Sequence, residues 1–464
     1  MSDVKVMFEE SLVEQNRGNL AQAIDKLTQI LILKPDMPAA WNNRASMIAK
    51  LGSPFDAIMN YNKAIELDPV IAAPYNNRGA SYYDLNLFEE AVKDYQKASD
   101  LAPNYPEPFN NKGNALMRLG KIEESTHAYR SAIALRPNYH DAHIGLSLSL
   151  LKLERYEEGW KEFEHRWNHS SLPARGLPYH EWKGERAESP DDALLLYGEQ
   201  GFGDIIQFMR WAPIAKPAWG GKVYVETKPP LERLTKTMKG IDGTVVFGEK
   251  PPHDVKYCAP LMSVPNTLKF YDIPDQVPYV SVDPYKVNIW RERLKALPEK
   301  FVIGVCWAGM NRTGDPGAAA IDKRRSVTLK SFAPVAQIPG VSWASLQVGP
   351  PSEQVKDPPP GMSIGAWGED LYDFSDTGAL MEACDLIITV DTAVCHVAGA
   401  LGRPTWLLNR FDGCWRWLHG KEDTKWYPSM RIFTQPSEGD WDGVMNQMAV
   451  ALRRHVLTYN REAA

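Results

Sequence analysis

The chain has 464 residues, of which 44% are hydrophobic and 24% are charged, and its net charge is −6. This length exceeds what one hydrophobic core supports, and the absence of a basic block or of an apolar run near 20 residues argues against a nucleic-acid surface and a membrane helix. The N-terminus lacks the apolar core of a signal peptide, so we expect a cytoplasmic protein. The five cysteines form no CxxC pair, so neither a disulfide framework nor a zinc site is expected.

Prolines recur every 34 residues in the first third of the chain. The other positions on this period are aromatic, small and again aromatic: Trp41, Tyr75 and Phe109; Ala45, Gly79 and Gly113; Tyr61, Tyr95 and Tyr129. The pattern is typical of a helix-turn-helix solenoid and resembles the tetratricopeptide repeat. We therefore expect a repeat domain over residues 1–168.

Asn43, Asn77 and Asn111 share one repeat position, on the helix face away from the packed aromatic residue. Asparagine is a mediocre helix former, so these residues are either remnants of repeat duplication or a ladder of amides that binds an extended peptide. The superhelix of O-linked N-acetylglucosamine transferases, which these repeats resemble, carries such a ladder at this position. The resemblance implies a protein acceptor held on the concave surface. The ladder is short, because Gly145 and Glu9 occupy its place in the outer repeats.

Residues 169–190 are polar and interrupted by prolines, which predicts a linker. Short apolar runs then alternate with helical patterns, as in parallel strands with crossover helices. The cycle restarts near residue 283, so we expect one Rossmann-like domain over residues 191–282 and a second over 283–464 that ends in a closing helix. Two such domains resemble the GT-B architecture of nucleotide-sugar-dependent glycosyltransferases, in which they face a cleft.

The sequence GEQGFGD, residues 198–204, follows a predicted strand and begins a predicted helix. Gly201 and Gly203 would allow backbone N–H groups to approach a ligand at the helix N-terminus. The spacing matches neither the P-loop nor the dinucleotide-binding fingerprint. Asp204 lies in the first turn, where a helix cap and a functional carboxylate are both possible.

Two further motifs lie in the second Rossmann-like domain. Asp391 and Thr392 follow a buried strand and begin a helix, which is where open α/β sheets bind phosphorylated ligands, and His396 lies one turn later. Lys323 and Arg325 belong to the basic sequence DKRRSVTL. These basic residues fit either a solvated charge cluster or a diphosphate site. The alternative to a ligand site is a helix cap for the Asp-Thr pair and a buried structural imidazole for His396.

The glycine- and alanine-rich segment 309–321 precedes the basic cluster and is predicted to be a loop that closes over the ligand. It is longer and richer in alanine than the Asn-Pro-x-His-x-Asn form usual in the family that the chain resembles. The chain resembles the bacterial heptosyltransferases of glycosyltransferase family 9. The resemblance depends on the order and spacing of three motifs, GFGDIIQFMRWAP, DKRRSVTL and DTAVCHVAGALGRP. Relatives of that family fused behind tetratricopeptide repeats are the most similar.

The resemblance implies that Asp204 is the catalytic base. It also implies a nucleotide-sugar site at Gly201, Gly203, Lys323, Arg325, Asp391, Thr392 and His396. No DxD pair suited to a divalent ion is present, so we expect no metal and no cofactor other than the donor substrate.

The expected function is an inverting, metal-independent glycosyltransferase. The expected acceptor is a protein bound by the repeats, and a flagellin or another surface protein would fit the family. Two alternatives remain at this stage: an acceptor that is a lipopolysaccharide-type glycan, and a noncatalytic scaffold whose α/β part senses a sugar nucleotide.

Overall fold

The computed structural model describes residues 2–168, 175–252, 254–310, 314 and 316–462. The chain divides into two compact units, Met1–Ala174 and Arg175–Ala464. Residues 169–174, the first part of the predicted linker, lie outside the described residues. Within the part of the chain that the structure describes, no helix combines the length and the apolar character needed to cross a membrane.

The first unit is a helical solenoid of tetratricopeptide-type repeats. Consecutive helices pack as antiparallel pairs, and each pair stacks on the next. Its helices are α1 Ser2–Asn16, α2 Leu20–Leu33, α3 Pro38–Lys50, α4 Pro54–Leu67, α5 Ala72–Asp84, α6 Phe88–Leu101, α7 Pro106–Arg118, α8 Ile122–Leu135, α9 His140–Lys152 and α10 Tyr156–Phe163. A 3₁₀ turn, Glu164–Asn168, follows α10.

A hydrogen bond that recurs along the solenoid explains why the aromatic and proline positions share one period. The indole Nε1 of Trp41 donates to the carbonyl oxygen of Pro35 at 2.8 Å. One repeat later the Tyr75 hydroxyl donates to the carbonyl oxygen of Pro69 at 3.3 Å. The aromatic tip therefore satisfies a carbonyl that the proline leaves exposed at the end of the preceding helix.

The small repeat position lies directly beneath a tyrosine of the same repeat. A Cβ atom on Gly79 would stand 2.8 Å from Cε1 of Tyr95, and one on Gly113 would stand 2.6 Å from Cε1 of Tyr129. Both rings are buried. Glycine therefore lets the paired helices approach closely enough to enclose the aromatic ring.

The second unit contains two sheets in which every paired strand is parallel. The first has the order β1-β5-β2-β3-β4, and the second has the order β11-β10-β9-β6-β7-β8. The strands are β1 His180–Glu181, β2 Ala193–Tyr197, β3 Lys222–Thr227, β4 Gly243–Val246, β5 Val255–Pro260, β6 Phe301–Cys306, β7 Val341–Ser345, β8 Ile364–Ala366, β9 Leu386–Val390, β10 Thr405–Asn409 and β11 Met430–Thr434.

Helices connect and cover these strands, as parallel sheets require. They are α11 Phe202–Phe208, α12 Ala212–Trp219, α13 Glu232–Thr235, α14 Val264–Thr267, α15 Pro284–Leu294, α16 Pro316–Arg325, α17 Ala333–Ala336, α18 Phe374–Ala383, α19 Ala393–Ala400 and α20 Trp441–Glu462. The closing helix α20 packs its apolar face, including Met445, Met448 and Leu452, into the core beneath the second sheet.

The prediction of a loop over residues 309–321 is partly wrong, because the second half of this segment belongs to α16. Alanine is the best helix former, a proline suits the first helical position, and three basic residues occupy the last turn, where the helix dipole favours cations. Residues 311–313 and 315 lie outside the described residues. In the segment predicted as a linker, His180 and Glu181 form β1 beside β5.

Candidate active site

The carboxyl edge of the second sheet brings the Asp-Thr motif to the start of a helix. Asp391 directly follows β9 and is buried, and Thr392 is the N-cap residue of α19 with extended backbone angles. Its hydroxyl makes no helix-cap hydrogen bond. It lies beside the buried Cys306 thiol, whose pKa it lowers against the larger, opposing effect of burial. A helix N-terminus with free amide groups is suited to a phosphate or another anion.

The basic cluster lies beside the next strand of the same edge. Arg325 is half-buried and forms an ion pair with Asp322 one turn earlier in α16. A Cβ atom on Gly309, in the loop after β6, would stand 3.1 Å from Nη2 of Arg325. Lys323 is exposed on the same helix. The structure thus places Arg325 against the loop after β6 and leaves the Lys323 side chain in solvent.

Helix α11, which follows the glycine loop of the first sheet, packs against α19 of the second. A Cβ atom on Gly203 would stand 2.6 Å from Cδ2 of His396. The missing side chain at position 203 therefore has a packing reason, because it lets α11 approach the imidazole. This contact brings Asp204 close to the helix that begins at Thr392.

His396 is a buried, uncharged imidazole. Its Nδ1 forms a hydrogen bond with the hydroxyl of Tyr427 at 2.9 Å. Burial lowers the pKa of His396 well below its usual value, and the cations Arg416, Arg210 and Arg325 lower it further. The side chain accordingly lies in the interface between α11 and α19, with only 5% of its surface exposed.

Asp204 has one partner for each carboxylate oxygen. The backbone N–H of Gly201 donates to Oδ2 at 2.9 Å, which is the helix cap considered from the sequence. Nη2 of Arg416 donates to Oδ1 in an ion pair. The Asp204 side chain keeps 20% of its surface exposed. The helix cap therefore uses one carboxylate oxygen and Arg416 contacts the other, and the carboxylate remains partly exposed to solvent.

Arg416 is a site residue that the sequence reasoning missed. Its side chain is nearly buried, its Nε donates to Gln207 on α11, and its Nη1 contacts the sulfur of Cys414 at 2.9 Å. It lies in the long connection between β10 and β11, where no periodic pattern or known motif marked it. The only available signal was the sequence CWRW, whose tryptophans predict burial of the arginine between them.

A second arginine that the sequence reasoning missed is Arg210, which lies within the motif GFGDIIQFMRWAP directly after α11. It is buried, and its Nη1 donates to the carbonyl oxygen of Trp426 at 2.8 Å, while its Nη2 donates to the Tyr279 hydroxyl at 3.2 Å. Tyr279 in turn donates to the carbonyl oxygen of Ile206 at 2.9 Å. These bonds hold α11 against the connection that carries Arg416 and Tyr427.

A cavity of about 560 Å³ lies at the carboxyl ends of β7 and β8. Gln347, Trp367 and Glu369 are among the residues that line it. The Gln347 side chain accepts from the backbone N–H groups of Trp307 and Ala308 at 3.1 and 2.9 Å, which joins the cavity to the loop after β6. The cavity thus continues the edge occupied by Arg325 and Thr392.

Two groups among the described residues have ligand atoms close enough to hold a metal ion. In the first, the rings of His143 and His165 are stacked 3.6 Å and 6° apart beside Glu162, so their in-plane lone pairs do not converge on one ion. The second combines Asp391, Cys395 and His396. Burial raises the pKa of the Cys395 thiol well above its usual value, which opposes the thiolate form that binds metals.

In the first unit the asparagine ladder contains two asparagines per repeat rather than one, because a second asparagine precedes each of Asn43, Asn77 and Asn111 in the sequence. Between repeats, Nδ2 of Asn77 donates to Oδ1 of Asn42, and Nδ2 of Asn111 donates to Oδ1 of Asn76, both at 3.1 Å. Within each pair, Nδ2 of the first asparagine donates to Oδ1 of the second. The distances are 3.2 Å from Asn42 to Asn43, 3.2 Å from Asn76 to Asn77 and 3.3 Å from Asn110 to Asn111. The repeated pair NN was the signal in the sequence.

Several known proteins and families are similar to parts of this chain. Residues 79–120 match the TPR repeat family, and residues 8–70 and 110–163 match the tetratricopeptide repeat family. Residues 372–408 match glycosyltransferase family 9 (heptosyltransferase). This last match is short, but it contains the Asp391–Thr392 start of α19 and His396.

Protein FlbA of Caulobacter vibrioides (strain ATCC 19089 / CIP 103742 / CB 15) is 27% identical over 324 residues, which cover 64% of this chain and 52% of FlbA. The chain thus spans about half the length of this curated relative. Among solved structures, MamA from Desulfovibrio magneticus RS-1 is 18% identical, covers 36% of this chain and 93% of its own, and has a TM-score of 0.32. TTC0263, a thermophilic TPR protein in Thermus thermophilus, is 17% identical, covers 36% and 92%, and has a TM-score of 0.32. The family matches and FlbA support a fusion of tetratricopeptide repeats to a glycosyltransferase-like α/β region.

Proposed function

We propose that the protein is an inverting, metal-independent glycosyltransferase of the GT-B type that uses a nucleotide-diphosphate sugar. The observation that carries this proposal is the pairing of α19 with α11. The start of α19 at the carboxyl end of β9 offers backbone amides, the feature of a phosphate site. The adjoining α11 presents an accessible carboxylate at Asp204. The match of residues 372–408 to glycosyltransferase family 9 supports the same assignment.

In this proposal the donor diphosphate binds between the start of α19 and α16. Asp391 and Thr392 position it, and Arg325 and Lys323 stabilise the charge that develops on the leaving group. The nucleoside extends into the cavity at the ends of β7 and β8. These cations take the role that a divalent ion has in other transferases, so no metal or other cofactor is needed.

The reaction is a single in-line displacement at the anomeric carbon. An acceptor hydroxyl attacks while Asp204 takes its proton; the new bond joins the acceptor oxygen to the sugar, and the broken bond releases the nucleoside diphosphate. Gly201 and Arg416 hold the two carboxylate oxygens in place. Gly203 packs against His396 and so lets α11 lie beside the start of α19, where the donor is proposed to bind.

His396 contributes to the donor site by packing rather than by charge. It is neutral and buried against Gly203, so it fixes the separation of α11 and α19. That separation sets the distance between the base and the phosphate-binding helix start.

The proposed acceptor is a protein bound along Asn43, Asn77 and Asn111. Each asparagine amide has two N–H groups and two lone pairs, and the ladder uses only some of them, which leaves capacity for the backbone of an extended peptide. A flagellin or another surface protein fits this kind of acceptor. The alternatives are a lipopolysaccharide-type glycan, with the repeats serving assembly, and a noncatalytic sensor of sugar nucleotides.

The first test measures donor binding and turnover of the full chain. We expect one or more nucleotide-diphosphate sugars in a panel to raise the melting temperature, and Asp204→Asn to retain this shift while transfer falls by at least about 100-fold. Asp283→Asn is the control, because Asp283 also accepts a backbone N–H at a helix start, that of Tyr285 in α15, and is not among the proposed site residues. Turnover retained by Asp204→Asn would contradict the base assignment, and no donor binding at all would contradict the enzyme.

The second test addresses the acceptor. Replacing Asn43, Asn77 and Asn111 by alanine should raise the KM for a protein acceptor and leave kcat and donor hydrolysis unchanged. Asn104 and Asn138, which are exposed in loops of the same repeats, provide a control double variant. An unchanged KM would favour the glycan acceptor.

A further inference from the structure

An arginine that the proposed function does not use lies at the carboxyl end of β10. Arg410 directly follows that strand, and β10 pairs with β9 in a register that sets Leu408 beside Val390. Continued past the strand ends, this register places the backbone of Arg410 near that of Thr392 at the start of α19. Neighbouring strands lie about 4.8 Å apart, so Arg410 belongs to the same edge of the sheet as the proposed phosphate site.

The guanidinium of Arg410 is joined to α16 through a shared carboxylate. Its Nε lies 3.0 Å from Oδ1 of Asp412. Oδ2 of the same carboxylate lies 3.4 Å from Nη2 of Arg324, in the last turn of α16. The next residue of that turn, Arg325, lies against the loop after β6. The basic turn of α16 therefore spans the edge from the end of β6 to the end of β10.

Arg410 is an enclosed cation without a hydrogen-bond partner. Its side chain is only 11% exposed, and Asp412 is the one carboxylate of the described residues within ion-pair distance. Nε and Nη1 are enclosed and make no hydrogen bond with any described residue, whereas Nη2 remains accessible. One carboxylate thus faces two guanidinium groups, Arg410 and Arg324. An enclosed positive charge in this situation calls for a further anion.

The order of the strands places Arg410 on the side of the phosphate site away from the nucleoside cavity. This part of the second sheet runs β10-β9-β6-β7-β8, and the cavity lies at the ends of β7 and β8. The proposed diphosphate site lies between them, at the start of α19 after β9. A donor bound along the edge in this direction brings its sugar end, rather than its base, to the end of β10.

We propose that Arg410 binds an anionic group at the sugar end of the donor through Nη2. The proposal rests on the proposed function for the direction in which the donor lies. Two groups of a nucleotide-diphosphate sugar supply the same oxyanion chemistry there: the phosphate joined to the sugar, and a carboxylate carried by an acidic sugar. A guanidinium suits both, because it stays protonated and forms charge-assisted hydrogen bonds with oxyanions.

The two sources of the anion have different consequences for the reaction. Bound to the phosphate, Arg410 adds positive charge to the leaving group and acts in every turnover. Bound to a sugar carboxylate, it selects an acidic sugar over a neutral one, because a neutral sugar leaves the enclosed cation without its partner.

The test measures the binding of three probes that carry no base, so that the result does not depend on the nucleotide. They are inorganic pyrophosphate, glucose 1-phosphate and glucuronate 1-phosphate, titrated against the full chain and followed by ³¹P NMR. We expect Arg410→Gln to weaken binding at least about tenfold, the usual effect of losing a hydrogen bond to a charged group. A loss shared by all three probes would assign Arg410 to the phosphate, and a loss confined to glucuronate 1-phosphate would assign it to a sugar carboxylate.

A second variant gives an answer even where Arg410→Gln folds poorly. Asp412→Asn keeps the guanidinium and removes the carboxylate that competes for it, so the probes should bind at least about twofold more tightly. Weaker binding by this variant would overturn the inference.

Arg403→Gln is the matched control. Arg403 is a partly buried arginine at the opposite, amino end of β10, where its Nη2 donates to the carbonyl oxygen of Cys384 at 2.8 Å. This variant should bind the probes as the wild type does, and an equal loss in both arginine variants would overturn the inference.

Equal affinities of the wild type and Arg410→Gln for all three probes would also overturn it, as would a wild type that binds none of them. If the wild type transfers sugar while its probe binding does not depend on Arg410, the proposed enzyme stands and the inference falls. Probe binding that depends on Arg410 in a protein that transfers no sugar would retain the anion site and refute the proposed enzyme.

Discussion

Replacing His396 by glutamine should make the α/β unit less sensitive to acid. In the folded protein the imidazole is neutral and buried beside Tyr427, and its pKa lies well below the usual value because of burial and the three nearby arginines. In the unfolded chain it titrates near the ordinary histidine pKa of about 6.5. The unfolded state therefore binds a proton that the folded state does not, and the free energy of unfolding falls as the pH drops below about 6.5.

The magnitude follows from this single proton. With a folded-state pKa far below the range of the experiment, the loss of stability from His396 is about 1.4 kcal/mol at pH 5.5 and about 2 kcal/mol at pH 5.0, and it is negligible at pH 7.5. Burial also lowers the pKa of His165, in the first unit. That group is present in both proteins, so its effect cancels in the difference between them.

The assay is urea denaturation of the full-length wild type and His396→Gln at these three pH values, monitored by tryptophan fluorescence. The difference in unfolding free energy between the two proteins should shift by about 2 kcal/mol in favour of the variant between pH 7.5 and pH 5.0. His455→Gln serves as a control for loss of a histidine elsewhere in the same unit. A constant difference across the range would mean that His396 titrates alike in both states, and the account of its buried, neutral form would fail.

Three further changes probe the same contacts through unfolding free energies in urea. Gly203→Ala should cost about 1–3 kcal/mol, because the added methyl group overlaps the ring of His396, and gained stability would show that α11 has room to move. Arg416→Lys should cost at least about 2 kcal/mol, because one ammonium cannot replace a guanidinium that binds Asp204 and two further groups; equal stability would refute the ion pair. Tyr427→Phe should cost about 1–3 kcal/mol by leaving Nδ1 of His396 without its partner, which a change below experimental error would contradict.

The sequence was sufficient to predict the repeat architecture because each repeat buries the same residue types at the same spacing. Trp41 and Tyr75 could be aligned on the period, and the structure adds that both bind a proline carbonyl. The hydrogen bonds between neighbouring asparagine pairs were not predicted, since they depend on how far one helix pair is displaced from the next. The alternation of apolar runs similarly predicted parallel strands, whereas the order of strands in each sheet needed the structure.

The site was predicted only where local sequence fixes local geometry. Asp391 and Thr392 lie at a strand end and a helix start, which a pattern of strand followed by helix predicts. Arg416 and Tyr427 lie in the irregular connection after β10, where position is set by packing against α11 rather than by any period. Their roles became visible only once Asp204 and His396 were seen to touch them.

The helix-capping and the catalytic interpretation of Asp204 are compatible rather than alternatives. A carboxylate offers about four lone-pair directions over its two oxygens, and Gly201 and Arg416 account for two of them. These two contacts approach different oxygens, so they fix the orientation of the carboxylate while it remains partly exposed. A general base needs this combination, because proton transfer requires a set direction as well as access. The closing aspartate of the glycine loop therefore caps α11 and, in the proposed reaction, receives the acceptor proton with the same side chain.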